Sequence, residues 1–153
     1  WSNNYLKGFY IYNKIDKLLE NNSDIEFTFI GNYNKDFIPK NIKLISPKSG
    51  KELGNILQEQ DIYITATQNK PCGMHHIEGM SSGLPIIYRK NGGAIKEACN
   101  KCGIEFTEID DMLEAIQKIK KNYETYKSNI NYEYLSSERC SKEYYEIIMD
   151  LLK

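Results

Sequence analysis

Short β-rich runs alternate with single helices along this chain, and that alternation admits few folds. From Phe9 to Asn21 the side chains of Phe9, Ile11, Tyr12, Ile15, Leu18 and Leu19 recur about every 3.6 residues, which predicts a helix. Asn21-Asn22-Ser23-Asp24 breaks it. Ile25 to Ile30 then reads as a buried strand ending at Gly31, and Ile42 to Ile45 as another beyond a polar loop around Pro39. Further strands are expected at Asp61 to Ala66, Leu84 to Tyr88 and Gly103 to Phe106. Helices are expected at about Lys51 to Gln58, Met74 to Ser82, Ala94 to Asn100, Ile109 to Tyr126 and Ser137 to Leu152. Gly83 is placed to end its helix through a left-handed cap. Strands joined by helices of this length imply an α/β protein, a parallel sheet with helices on both faces.

Composition narrows the class. At 153 residues the chain is the size of one domain, and 41% hydrophobic content is too high for a disordered tail. The 20 basic and 21 acidic residues nearly cancel, which argues against a nucleic-acid-binding module with its basic stripe. No apolar run approaches the roughly 20 residues that span a bilayer, so no transmembrane segment is expected. Cys99 and Cys102 form a C-x-x-C, but the histidines, His75 and His76, are adjacent to each other and no second pair completes a ligand set. The pair also falls at a helix end beside Gly103, not at a helix start where a thiolate is stabilised. Ordinary reduced cysteines of a cytoplasmic protein are expected, with no metal site.

In open parallel sheets ligands bind beyond the carboxyl ends of the strands. The loops to search are Gly31 to Asn34, Ile45 to Gly50, Thr67 to Gly73 and Lys90 to Gly93. The densest chemistry follows Thr67, where Gly73 opens a helix. A glycine there bares backbone N–H groups, and the helix dipole favours a phosphate or diphosphate. Glu78 follows Met74 by just over one turn on the same face, where a carboxylate can accept two hydrogen bonds from a vicinal diol such as ribose. Spacing alone leaves this open. Helix starts are common, and Glu78 can equally cap or pair locally while the glycines simply make turns.

The stretch Glu78-Gly-Met-Ser-Ser-Gly-Leu-Pro-Ile-Ile87, followed by Gly92-Gly93-Ala-Ile-Lys-Glu97, resembles the donor half of GT-B glycosyltransferases of the glycosyl transferases group 1 family. The family carries an E-x₇-E element, a Gly-Leu-Pro strand and a Gly-Gly-(x)₃-Glu turn. The opening Trp1 to Phe9, with Lys7-Gly8 ahead of a helix, resembles the segment after the first strand of that half. The likeness runs from Trp1 to about Phe106. It implies a Rossmann-like parallel sheet with helices on both faces, the C-terminal half of a GT-B fold, spanning 1–153 as one nucleotide-sugar-binding domain.

Carried over residue by residue, the resemblance implies that Lys7 contacts the donor diphosphate and neutralises it as it leaves. Gly73, Met74 and His75 offer backbone groups to the diphosphate or sugar, and the His75 side chain is a further stabiliser. Glu78 holds the ribose hydroxyls, Gly31 lets the nucleotide pass close to a strand end, and Ile45 lies near the base. Two positions depart from the family pattern. The first acid of E-x₇-E falls at Lys70, and a frequent arginine five residues before the lysine falls at Ser2. Both changes bear on the choice of donor sugar or on activity.

The reading is therefore the donor half of a retaining hexosyltransferase, which moves a sugar from a nucleoside diphosphate to a hydroxyl acceptor without metal or other cofactor. A D-x-D triplet is absent from the sequence, as that class implies. The acceptor, a glycan or lipid-linked molecule, would be bound by a separate N-terminal domain. The family places that domain and the first, central strand before Trp1, so these residues alone are expected to be inactive. The location implied is cytoplasmic, with peripheral membrane contact open to the full-length protein. A nucleotide-sugar-binding module or remnant without turnover is the alternative, and a hydrolase or epimerase of nucleotide-sugars a third.

Overall fold

The computed structural model describes residues 5–69, 73–99 and 101–153. Gly8 stands at φ 76° and starts α1 (Phe9–Leu19), which buries Ile11, Tyr12 and Ile15 along one stripe. A parallel pair follows, β1 (Thr28–Ile30) and β2 (Lys43–Ile45), in the register Thr28↔Lys43, Phe29↔Leu44, Ile30↔Ile45. The polar loop between them is pinned to α1. Asp16 Oδ1 accepts the backbone N–H groups of Lys40, Asn41 and Ile42 at 3.0, 2.7 and 3.0 Å. These bonds hold the Asp16 carboxyl below its ordinary value against the desolvation that would raise it.

The chain continues through α2 (Gly50–Gln58), β3 (Tyr63–Thr65), α3 (His75–Ser81), β4 (Ile86–Arg89), α4 (Ile95–Cys99) and β5 (Gly103–Phe106). Strands β3, β4 and β5 form a second parallel sheet, with Tyr63↔Ile86 and Ile86↔Gly103 in register. Helix α3 ends as expected: Gly83 takes φ 85°, its N–H reaches Met80 O at 2.8 Å, and Leu84 N–H reaches Gly79 O at 3.2 Å.

The long helix expected over Ile109 to Tyr126 is instead two, α5 (Ile109–Lys121) and α6 (Tyr123–Ser128). Asn122, at φ −125° and ψ 34°, leaves the helical path, and its N–H turns back to Ile119 O at 3.0 Å. Asparagine competes well for such end positions. Helix α7 (Ser137–Leu151) buries no residue and leaves Ile147, Ile148 and Leu151 exposed. Among the described residues no helix is long and apolar enough to cross a membrane.

Alternation along the strands sorts the core into layers. Ala66, Ile87 and Phe106 pack with Ile11, Ile15, Met112 and Ile119, so α1 and α5 cover one face. Ile86 and Tyr88 point the other way, onto Met80 of α3 and Ile95 and Cys99 of α4. Leu53 and Leu57 of α2 join that second side through Leu84, Ile30 and Tyr63. The fold is thus a Rossmann-like α/β arrangement of parallel strands with helices on both faces. Cys99 and Cys102 are buried free thiols whose sulfurs lie 3.6 and 3.5 Å from Met80 Sδ. Among the described residues no group of three or more His, Cys, Asp or Glu side chains could hold a metal.

Candidate functional site

The carboxyl ends of β1 and β3 open onto a cavity of about 980 Å³, within the range of small-molecule sites. Its mouth at those ends carries Lys7, Asn32, Thr65, Thr67, His75 and Glu78. Lys7 is placed there by the residue after it. A Cβ on Gly8 would sit 2.4 Å from Ala66 O and 2.7 Å from Ala66 Cβ, so only glycine lets the start of α1 lie against the end of β3. Gln68 N–H donates to Leu6 O at 2.9 Å, and Ala66 N–H donates to the Tyr12 hydroxyl at 3.2 Å, fixing the same contact from either side.

The second wall comes from α3. His75 Nε2 lies 3.2 Å from Thr65 Oγ1, joining the helix start to the end of β3. Gly73 leaves room for this ring, since a Cβ there would fall 2.9 Å from His75 Cε1. Met74 is 64% exposed, so packing leaves the helix start open to solvent. Glu78 is exposed and lines the cavity, outside the core. The nearby Tyr63 phenol is pushed up chiefly by burial, with the charges of Tyr12 and Glu78 adding to it. His76 is the buried histidine of the pair, its Nδ1 lacks a hydrogen-bond partner among the described residues, and desolvation lowers its pKa.

The residues singled out from sequence are thus distributed unevenly. Lys7, His75 and Glu78 line one cavity. Gly31 and Ile45 meet each other, with Gly31 N–H donating to Ile45 O at 3.1 Å, on the adjoining strand ends. There Ile30 and Asn32 line the cavity, whereas Gly31 and Ile45 do not. Gly73 and Met74 flank the mouth without lining it. Lys70 and Ser2 lie outside the described residues.

Sequence reasoning missed Thr65 and Thr67, although alternate residues at a strand end share a face and so formed a readable signal. It also missed Arg89. That guanidinium is 8% exposed at the end of β4, stacks 4.6 Å over the Tyr10 ring, and keeps Nη1 without a hydrogen-bond partner among the described residues. The loop after β4 is tied to the loop after β3 by Asn69 N–H on Asn91 O at 2.7 Å.

Parallel α/β strands with a cavity at their carboxyl ends, rimmed by a lysine, a histidine and a carboxylate, place these groups where open α/β sheets bind ligands. The chain belongs to the family glycosyl transferases group 1, whose model matches residues 9–135. It is 33% identical over 116 residues to a probable sucrose-phosphate synthase of Thermosipho melanesiensis, a match covering 69% of this chain and 27% of that protein. Its fold is similar to that of Anabaena HepE, solved with UDP-glucose (TM-score 0.68, 16% identity, 91% of this chain and 45% of that one). It is also similar to the pneumococcal O-GlcNAc transferase GtfA, solved with UDP and GlcNAc (TM-score 0.74, 15% identity, 97% and 34%). The chain therefore spans about a quarter of the length of that curated relative and a third to just under a half of these solved chains.

Proposed function

We propose that this domain binds the nucleotide-sugar donor of a retaining hexosyltransferase, with the acceptor held by a separate N-terminal domain. The observation that carries the reading is the convergence of Lys7, His75 and Glu78 on one cavity at the carboxyl ends of parallel strands, in a chain of this family. The UDP and UDP-glucose bound by similarly folded proteins favour a uridine nucleotide as the donor.

The Lys7 ammonium and the amides opening α3 would neutralise the diphosphate. The Glu78 carboxylate would accept hydrogen bonds from the ribose diol. In the transfer step the bond between the anomeric carbon and the diphosphate oxygen breaks. The acceptor hydroxyl oxygen bonds to that carbon from the same face, and its proton passes to the departing diphosphate. Developing charge on the leaving group is what Lys7 would stabilise. The chemistry draws on no metal and no cofactor, the nucleotide-sugar being the substrate, and fits a cytoplasmic enzyme.

Binding without turnover is the second reading. It is favoured by Lys70, a cation at the position where the family's E-x₇-E element has an acid. Calorimetry with UDP and UDP-glucose tests the donor assignment. Glu78→Ala should weaken UDP binding about tenfold or more, some 1.4 kcal/mol, because a charge-assisted bond is lost. Unchanged affinity would refute it. The 153 residues alone should bind but transfer no sugar, and observed turnover would overturn the division of labour.

A further inference from the structure

Of the chain's 20 basic residues only Arg89 and Arg139 are arginines, and both stack on tyrosine rings. Arg139 shows the arrangement complete. Its guanidinium lies 4.5 Å from the Tyr134 ring centroid, Nε–H donates to Tyr134 O at 3.2 Å, and Nη1 pairs with Glu143. That side chain is half-buried on α7. Arg89 repeats the stack, 4.6 Å over Tyr10, in a drier place and with neither acceptor among the described residues. It is 8% exposed, and its Nη1 is enclosed without a hydrogen-bond partner among them. Buried arginines are nearly always paired. A ring face balances one side of the guanidinium, but its five N–H donors lie in the plane and call for oxygens.

The strand aims this group at the start of α1. Arg89 follows Ile87 by two residues in β4 and so points to the α1 face, where Ile87 packs with Ile11. Tyr10 belongs to the first turn of that helix, and Gly8 before it lies against Ala66 at the end of β3. Gly8 has no side chain to cap α1, so the positive end of an 11-residue helix stands beside a buried cation. The carboxylates on or bonded to α1 among the described residues are engaged elsewhere. Asp16 holds the loop before β2, and Glu108 pairs with Lys14 at 3.0 Å. Lys90 and Asn91, next along the chain, are exposed, so the path from Arg89 to solvent is short.

We propose that Arg89 and the start of α1 form an oxyanion site that takes the phosphate group of a small-molecule ligand. The planar fork of the arginine grips two phosphate oxygens at once, and the helix end adds favourable potential. Tyr10 holds the guanidinium plane from its face. Lysine supplies charge everywhere else in this chain except at Arg139, and a fork is needed where two oxygens are held together. Neither Arg89 nor Tyr10 lines the donor cavity, so the phosphate held here is additional to the donor diphosphate of the functional reading. The inference goes beyond that reading and does not need it. A domain that bound no nucleotide would carry the same uncompensated guanidinium.

With Arg89 and Arg139 the only arginines, their side-chain Nε–H signals can be read apart by nitrogen–proton correlation NMR, Arg139 serving as internal reference. The labelled protein is titrated with inorganic phosphate in the presence of saturating UDP, against sodium chloride of matched ionic strength. The Arg89 signal should shift and saturate with a dissociation constant of about a millimolar, the strength of two charge-assisted bonds, while Arg139 stays in place. Phosphate at ten times that constant should raise the thermal midpoint by about 4 °C. Arg89→Lys, which keeps the charge and loses the fork, should lose most of that rise. An Arg89 signal that moves no more than Arg139, or no more in phosphate than in chloride, overturns the proposal. So does an equal phosphate-dependent rise in Arg89→Lys. UDP affinity measured separately decides the donor reading, and if UDP fails to bind, the phosphate titration still reports on Arg89.

Discussion

Replacing Gly8 with alanine would expose how the Lys7 wall is built. Two costs combine. An L-residue at φ 76° loses roughly 1–2 kcal/mol relative to glycine. The new Cβ also starts 2.4 Å from Ala66 O, a backbone atom that cannot rotate aside. Reaching an ordinary contact requires the α1 start and the β3 end to separate by roughly 0.6–1 Å, an overpacking strain of about 1–3 kcal/mol. Alanine recovers about 0.4–1 kcal/mol through its stiffer unfolded chain. The net loss is about 3 kcal/mol, or a fall of roughly 9 °C in thermal midpoint for a domain of this size. UDP affinity should drop as well, because Lys7 moves with the turn. Gly54 is the control. It lies inside α2, where an added Cβ would meet nothing within 4 Å, so Gly54→Ala should raise stability by up to about 1 kcal/mol. The assays are circular-dichroism melting and calorimetry with UDP. Equal responses of the two variants would refute the close-approach argument.

Tyr12→Phe removes the acceptor of the buried Ala66 N–H and should cost about 1–3 kcal/mol in urea unfolding with the fold retained; a neutral result would mean that this amide finds another partner. Asp16→Asn should cost about 1–2 kcal/mol at pH 7, since one amide oxygen replaces a carboxylate that accepts three backbone N–H groups. Its folded pKa is depressed, so the wild-type stability from Asp16 is present above about pH 4 and lost as pH falls further, and the Asn variant should lack that loss. His76 titrates in a different window. Desolvation lowers its folded pKa, so the unfolded chain binds the proton first and stability falls as pH drops below about 6.5. Chemical denaturation of His76→Leu between pH 7 and 5 should show a flatter slope than wild type, and identical slopes would exclude His76 as the source.

The alternation of elements was legible because each apolar stripe has one period. Ile11, Tyr12 and Ile15 recur with the turn of a helix, and Ile86 and Tyr88 point opposite to Ile87. Local signals failed where the deciding partner is distant. Asn122 breaks the expected long helix through its own backbone, within a run whose composition stays helical on both sides. Gly8 was read as part of a Lys-Gly start, but its real constraint is Ala66, a contact far along the chain. Arg89 looks like an ordinary strand-end cation until the Tyr10 ring is seen beneath it.

The cavity itself joins two chemistries that sequence reasoning kept apart. Its interior is walled by Phe29, Ile64, Leu57 and Met112, side chains that neither hydrogen-bond a nucleotide nor neutralise its charge. The carboxyl-end mouth carries Thr67, His75 and Glu78, which offer hydrogen-bonding groups, and Lys7, which carries a positive charge. One ligand cannot satisfy both regions, because a diphosphate drawn into the apolar part would lose its solvation without compensation. A charged group therefore belongs at the mouth and an apolar one in the interior. That division explains why the polar candidates cluster beyond the strand ends while the half-buried side chains lie between them.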